Sequence, residues 1–349
     1  MKLFVRNSRG PLDWLMLGTA SAAGLFLTGK IVRKLSVSKL DLRDKIVLIT
    51  GGSRGLGLCL GFELGNRGAR LALCARDQQE LEEARNRLAA RGIEAAVFPC
   101  DISDESQISP LVGNVLDRYG RIDVLVNNAG HIIAAPFESF DHSDFERAMN
   151  VMFWAPVNLS FAVLPLMKQQ RSGSIVNITS IGGRVSVPHL LPYCCAKYAF
   201  VGFSNGLGAE VKSQGIHVLT AIPGLMRTGS YLNAQFKGSA EREFAWFGLL
   251  GNLPGFSVAA SYAARCIVNA LETNRHTCTI SLPAKFLMRA EALFPETTQR
   301  VFSATSQYLL PAPNGEKVAL SGKILNNRFN RVFQALTALG KSAALQLNE

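Results

Sequence analysis

The sequence has no CxxC pair and no histidines at metal-ligand spacing, and its seven cysteines, Cys59, Cys74, Cys100, Cys194, Cys195, Cys266 and Cys278, make an odd total. That pattern argues against a metal site and reads as ordinary buried thiols in a reducing compartment. Charged residues are few at 18% and aromatic ones at 8%, against 48% hydrophobic. Neither a disordered chain nor a small disulfide scaffold fits such a composition. Beyond the N-terminus no apolar run approaches the roughly 20 residues that cross a bilayer, which excludes a polytopic membrane protein. No repeat of about 20 to 50 residues recurs, which excludes a solenoid.

What is present is enough for one large α/β sheet with tails: 349 residues and a mean hydropathy of +0.16. The net charge of +11 is unevenly placed, with nine Lys/Arg against three acids in residues 1–45 and five against two in residues 316–349. Tails that are both basic and apolar point to a membrane surface. Nucleic acid would need a basic stripe on the folded core, and none is seen.

Residues 12–29, LDWLMLGTASAAGLFLTG, lie between Lys2, Arg6 and Arg9 on one side and Lys30, Arg33 and Lys34 on the other. The stretch reads as an uncleaved membrane anchor in preference to a packed helix or a secretory signal. Its Ala-x-Ala is buried in the apolar run, where no cleavage site belongs. The more basic C-terminal flank places the folded domain in the cytoplasm.

From Lys45 the apolar runs KIVLIT, ARLALCA, EAAVFPC, IDVLVNNAG, GSIVNITS and IHVLTAIPG alternate with stretches of helical spacing. This predicts an α/β fold, a Rossmann-type doubly wound parallel sheet forming a single domain with helical extensions at both ends. The divisions are an anchor and basic linker over 1–44, the sheet domain over 45–285 with a substrate lid near 228–257, and a helical extension over 286–349. A helix is predicted over 259–272 and a last strand at TCTISLP. WFGLLGNLPGF, residues 246–256, reads either as a mobile lid or as a core-packed turn. In the tail, Ile324, Leu325, Phe329, Val332, Phe333, Leu336 and Leu339 fall near one helical face. That face would lie on a membrane, on a second subunit or on the domain itself.

Thr50-Gly51-Gly52-Ser53-Arg54-Gly55-Leu56-Gly57 follows the first strand and opens a helix. Glycines there permit a tight turn and let a pyrophosphate approach backbone N–H groups at a helix start. The TGxxxGxG spacing resembles the short-chain dehydrogenase/reductase family. The resemblance extends through Asp101-Ile102, Asn127-Asn128-Ala129-Gly130, Asn150, Ser180, Tyr193 and Lys197 at YxxxK, and Pro223-Gly224. It implies that Asp101 bonds the adenine ring, that Asn128 lines the cofactor and supports the sheet, and that Thr228 contacts the nicotinamide carboxamide. Ile102, Ala129, Gly130, Tyr193, Lys197, Pro223 and Gly224 belong to the same cofactor cleft. Arg76, where a carboxylate would favour NAD, together with Arg54 in the glycine turn, favours NADP(H). Asp77, the very next residue, complicates that choice.

Tyr193 and Lys197 project from one helix face, and a neighbouring ammonium together with an oxidised nicotinamide would stabilise a phenolate. By the resemblance Ser180, thirteen residues upstream of Tyr193, orients and polarises a substrate carbonyl and Tyr193 is its proton donor. Lys197 tunes the phenol and binds the ribose, while Asn150 holds a water. Cys194 and Cys195 read as small buried side chains, His189 as a loop residue without a role, and Glu241 and Glu243 as solvated. The function expected is NADP(H)-dependent interconversion of a carbonyl and a secondary alcohol on a lipophilic substrate of steroid, sphingoid, retinoid or acyl type, at a membrane. The tails resemble the organisation of membrane-bound hydroxysteroid dehydrogenases, and many relatives form homodimers or homotetramers. A catalytically silent NADP(H)-sensing scaffold and an epimerase or dehydratase on the same fold are the alternatives.

Overall fold

The computed structural model describes residues 39–349, so the expected anchor at 12–29 and most of its linker lie outside the described residues. Every β-branched run becomes a strand: β1 (Ile46–Thr50), β2 (Arg70–Ala75), β3 (Ala95–Pro99), β4 (Val124–Asn127), β5 (Gly173–Ile178) and β6 (Ile216–Pro223). TCTI adds β7 (Thr277–Ile280). The sheet runs β7-β6-β5-β4-β1-β2-β3 with all neighbours parallel. Strand order reverses at β1, which has β2 on one side and β4 on the other. Loops leaving the carboxyl ends of β1 and β4 therefore part and open a crevice.

Helices cover both faces, which is why β1 is buried along its whole length and reads as an unbroken apolar run. α1 (Gly55–Gly65), α2 (Gln78–Ala89) and α3 (Ile108–Tyr119) connect the first four strands. α4 spans His142–Gln170 and is the one described helix long and apolar enough to cross a membrane. Its apolarity serves the core instead: Ala155, Leu159, Val163 and Met167, spaced four apart, are buried with Leu125, Ile175 and Val218 of the sheet. An Asp141–Asp144 capping box starts α4, and Lys237 donates to both carboxylates, at 3.0 and 2.6 Å. α5 (Leu191–Val211) follows β5 and packs on β6.

Between β6 and β7 lie α6 (Ala240–Asn252) and α7 (Ala260–Glu272). The apolar run from Trp246 is not broken where its glycines stand; it stays helical to Asn252, and the chain turns only at Leu253-Pro254. Phe244 and Phe247 of α6 are buried with Leu190, Tyr231, Phe236, Leu325 and Phe333. Glu243 is not solvated as expected. It is fully buried, facing His189 Nδ1 at 2.7 Å and accepting from Trp246 Nε1 at 2.6 Å. Its neighbour Glu241 is exposed, as expected, and pairs with Arg328 at 3.1 Å.

After β7 come α8 (Leu282–Leu293) and α9 (Pro295–Tyr308), then a tail of three short helices: Gly322–Asn326, α10 (Arg331–Leu336) and α11 (Ala338–Gln346). The expected single helical face does not form. Asn330 starts a fresh helix by accepting from the Phe333 N–H at 3.1 Å. Leu325 and Phe333 consequently turn into the α6 cluster, whereas Val332, Leu336 and Leu339 are exposed.

Removing Glu243 leaves His189 and Trp246 Nε1 without their buried partner. Glu243→Ala should therefore lower stability by about 3–5 kcal/mol, with Glu243→Gln less damaging. Thermal and urea unfolding of the purified variants checks this; two near-neutral variants would mean that the pair does not hold α6 in place.

Candidate active site

The glycine turn is shaped by contacts that exclude side chains. Gly51 has φ +62°, and a Cβ there would lie 2.9 Å from Ala129 Cα. A Cβ on Gly57 would fall on the Gly51 carbonyl. Thr50 Oγ1 donates to the Val126 carbonyl at 3.3 Å and accepts from the backbone N–H groups of Asn128 and Ala129 at 3.0 and 3.2 Å. Asn128 Nδ2 in turn donates to the carbonyls of Thr50 and Gly51, both at 3.0 Å. The Asn128-Ala129-Gly130 segment after β4 thus braces the turn after β1. α1 then begins with an extended Arg54 that makes no side-chain cap and with no acid in its first turn. An anion-binding helix start lined by glycine is what a dinucleotide pyrophosphate needs, and these residues fit one.

Around the rim, Asp77 caps α2 by accepting from the Glu80 N–H at 2.9 Å. That role settles how a carboxylate comes to stand beside Arg76. Arg76 itself is exposed and, among the described residues, forms no ion pair. Arg54 is engaged by Glu80 at 2.9 Å and by Asn233 at 3.2 Å. The Asp101 carboxylate accepts from Ser103 at 3.0 and 2.6 Å, and Ile102 and Leu56 are buried beside it and at the start of α1 respectively. Pro223 ends β6; a Cβ on Gly224 would lie 2.7 Å from Ser281 Oγ, so the chain crosses β7 closely there. Thr228 is buried and accepts from the Ser230 N–H at 3.1 Å.

Ser180 follows β5, its Oγ accepting from the Gly182 N–H at 3.0 Å. The loop it opens lies directly on α5: a Cβ on Gly182 would be 3.1 Å from Tyr193 Cε1, and one on Gly183 would be 2.5 Å from the Lys197 carbonyl oxygen. Pro192 in the first turn of α5 lacks only an N–H that the helix start leaves unused. Tyr193 and Lys197 sit one turn apart, with Lys197 Nζ 5.8 Å from the Tyr193 ring centre and donating to the Ile178 carbonyl at 2.9 Å. Ser180, Tyr193 and Lys197 are therefore brought together. Asn150 is exposed and opens a π-helical turn, Asn150–Trp154, that packs on α5. No side-chain hydrogen bond joins it to Lys197 among the described residues.

Burial pushes the Tyr193 phenol up to about 12, with a hydrogen bond from Ser180 opposing. Lys197 is only 3% exposed, and burial lowers it to about 7. Desolvation dominates both groups, and the ammonium is directed to the Ile178 carbonyl instead of the phenol. A protonated phenol and an ammonium poised near neutrality can give and restore a proton.

Other residues were missed or misplaced. His189, with φ +63°, is buried on Glu243 rather than idle in a loop; the legible signal is an acid standing directly before the apolar run FAWFGLL. Cys194 is buried as expected, but Cys195 is exposed. Residues Leu347, Asn348 and Glu349 reach the glycine turn, with no motif to announce it.

In the folded protein Lys197 releases its proton near 7, while in the unfolded chain it holds it to the ordinary 10.5. Stability contributed by this residue therefore rises with pH across that window. Lys197→Met should be most stable relative to the natural protein at or below pH 7, with the difference shrinking toward pH 9. Urea unfolding of both proteins across this range measures it; a pH-independent difference would mean an unshifted lysine.

Comparison with known proteins follows the same site. The family model described as short chain dehydrogenase matches residues 45–235. Dehydrogenase/reductase SDR family member 7B from Danio rerio is 35% identical over 221 residues, 62% of this chain and 71% of that protein. A fatty acyl-CoA reductase from Acinetobacter baylyi is 36% identical over 190 residues, 54% of this chain and 64% of its own length. The structure of a short-chain dehydrogenase from Streptomyces avermitilis superposes with a TM-score of 0.65 at 28% identity, covering 76% of this chain and 98% of that one. A metagenomic short-chain oxidoreductase in complex with NADP gives 0.57 at 26% identity, covering 69% and 99%. The chain belongs to the short-chain dehydrogenase/reductase family and is an oxidoreductase acting on CH–OH and C=O groups with a nicotinamide cofactor.

Proposed function

We propose that the protein is an NADP(H)-dependent reductase of lipophilic ketones working at a membrane. The observation that carries this reading is the environment of Tyr193. Its ring packs at once on the Ser180 loop and on the apolar cluster of Leu190, Phe236, Phe244 and Phe247. A carbonyl brought to the phenol would have its apolar substituents against that cluster, where burial stabilises by about 25 cal/mol per Å². The fatty acyl-CoA reductase among the relatives accords with an apolar chain.

Thr50, Gly51, Ser53, Gly55, Leu56 and Gly57 would hold the cofactor's pyrophosphate half, with Asp101, Ile102 and the Asn128-Ala129-Gly130 segment on its adenosine side. Pro223, Gly224 and Thr228 would hold its nicotinamide side. When bound, the cofactor supplies or takes up a hydride. Ser180 Oγ would donate to the substrate carbonyl and fix its direction. Tyr193 Oη, kept protonated by burial, would give the product oxygen its proton. Lys197, near neutrality in its own titration, would return one to the phenol, with Asn150 at the solvent side of the relay. Arg76 supports NADP(H), being exposed and, among the described residues, without an ion pair while Asp77 is occupied as a cap; the NADP-bound relative is consistent with it. The membrane setting, with the catalytic domain facing the cytoplasm, rests on residues 12–29 and their basic flanks.

NADPH oxidation, followed by loss of its near-ultraviolet absorbance across ketones from small diketones to steroid, sphingoid and acyl compounds, tests the reading. Turnover should concentrate on the long apolar ketones, and Tyr193→Phe should lose a factor on the order of 10² to 10⁴. Turnover confined to small polar ketones would overturn the substrate class. Arg76→Asp should shift preference toward NADH by on the order of tenfold to a hundredfold, the worth of one charge-assisted hydrogen bond. Equal use of NADH and NADPH by the natural protein would remove the NADP(H) assignment.

A further inference from the structure

The start of α1 is already taken. Gly55 N–H, a backbone donor that a helix start offers to an anion, donates to the Leu347 carbonyl at 2.8 Å. Asn348 Nδ2 donates to the carbonyls of Ser53 and Glu80, both at 3.2 Å. The Glu349 carboxylate lies where a Cβ on Gly55 would collide with it, accepts from Asn233 Nδ2, and is 4.0 Å from Arg54 Nε. Arg87 donates to the carbonyls of Leu345 and Gln346 at 3.1 and 3.0 Å. Farther back, Ala344 rests on Gly229, whose φ of +90° and lack of a side chain let it approach. Leu347 is buried and the Glu349 side chain is only 6% exposed.

The Leu347 carbonyl on the Gly55 N–H and the Glu349 carboxylate beside Arg54 thus place acceptor oxygens where a phosphate would sit at a helix start. No acid of α1's own occupies that first turn; the carboxylate comes from nearly 300 residues away in the sequence. We propose that residues 344–349 are a built-in competitor of the dinucleotide, seated on the glycine turn in the free protein and displaced when the cofactor binds. The inference rests on the reading of that turn as the pyrophosphate seat.

Two features make the seat one that the tail can leave. Burial lifts the Glu349 carboxyl to about 7 against the opposing Arg54, so charge pairing does not repay desolvation there. What holds the segment is a short series of hydrogen bonds to backbone groups together with buried Leu347. A cofactor that must first displace the tail binds with its intrinsic affinity reduced by the fraction of molecules whose seat is open. Arg54 and Asn233 are shared between the tail and the rim, so the same exchange decides when Arg54 is free for a nucleotide.

The test compares NADPH and NADH binding, by fluorescence titration, to the natural protein, to a chain ending at Ala343 and to full-length N348A/E349A. The truncated chain should bind NADPH about tenfold tighter or more, with the double variant between the two. Circular dichroism of the double variant guards against a misfolded truncation. In parallel, hydrogen exchange in residues 344–349 of the natural protein should rise when NADPH is added. Affinities equal within about twofold across the three proteins, or exchange in 344–349 that falls on adding NADPH, would overturn the competitor and leave the cofactor seat standing. Absence of binding of either nucleotide to any of the three would instead bring down the reading of the glycine turn, and the competitor with it.

Discussion

A single lysine sets the terms for the rest of the domain. Lys197 is almost completely buried, and the carbonyl of Ile178 at the end of β5 is its one hydrogen-bond partner among the described residues. Taking an ammonium out of water with so little compensation is strongly unfavourable. The fold can bear it because the strands around it are buried on both faces. Val47, Leu48, Ile49, Leu125, Ile175 and Leu219 are all fully shielded, and each such side chain contributes about 1.5–3 kcal/mol. The same lysine constrains its neighbours. Gly183 must be a glycine because the Lys197 backbone passes against it, and the Ser180 loop is thereby pressed onto Tyr193. Burial acts on lysine and phenol in opposite directions, lowering one and raising the other, which keeps the phenol protonated at neutral pH.

What the sequence disclosed well was what depends on neighbours along the chain. A parallel strand covered on both faces needs an uninterrupted β-branched run, so Ile46–Thr50 and Ile216–Pro223 were visible from composition alone. The glycine turn was visible for a similar reason: Gly51 and Gly57 exclude side chains within a few residues of each other. Of the site, Ser180, Tyr193 and Lys197 come together as their spacing and the family resemblance implied. Asn150 is placed on a π-helical turn that no composition signals.

What could not be seen depends on partners remote in sequence. Glu243 looks solvated beside Glu241 until His189, 54 positions away, comes to face it. The tail looked like one amphipathic helix because periodicity ignores caps. Asn330 restarts the helix, and Phe333 then packs 5.5 Å from Phe244 while Val332 stays exposed. The hydrogen-bond partner of Lys197 is hidden for a related reason: it is the carbonyl of Ile178, at the end of β5 and 19 residues before the lysine.

These remote contacts are contiguous. Phe333 stacks on Phe244, whose helix carries Glu243; Glu243 faces His189, and His189 stands four residues before Tyr193. The same tail continues through α11 to Leu347, which sits on Gly55. Asn233, between β6 and α6, bonds both Arg54 and Glu349. A change in where residues 344–349 lie therefore has a path through packed side chains and buried polar pairs to both the glycine turn and the apolar cluster against which Tyr193 packs. Spatial continuity alone is not coupling. The element proposed to have two arrangements is the tail itself: its Leu347 carbonyl takes the Gly55 N–H and its Glu349 carboxylate faces Arg54, the donor and the arginine that a phosphate at the glycine turn would use.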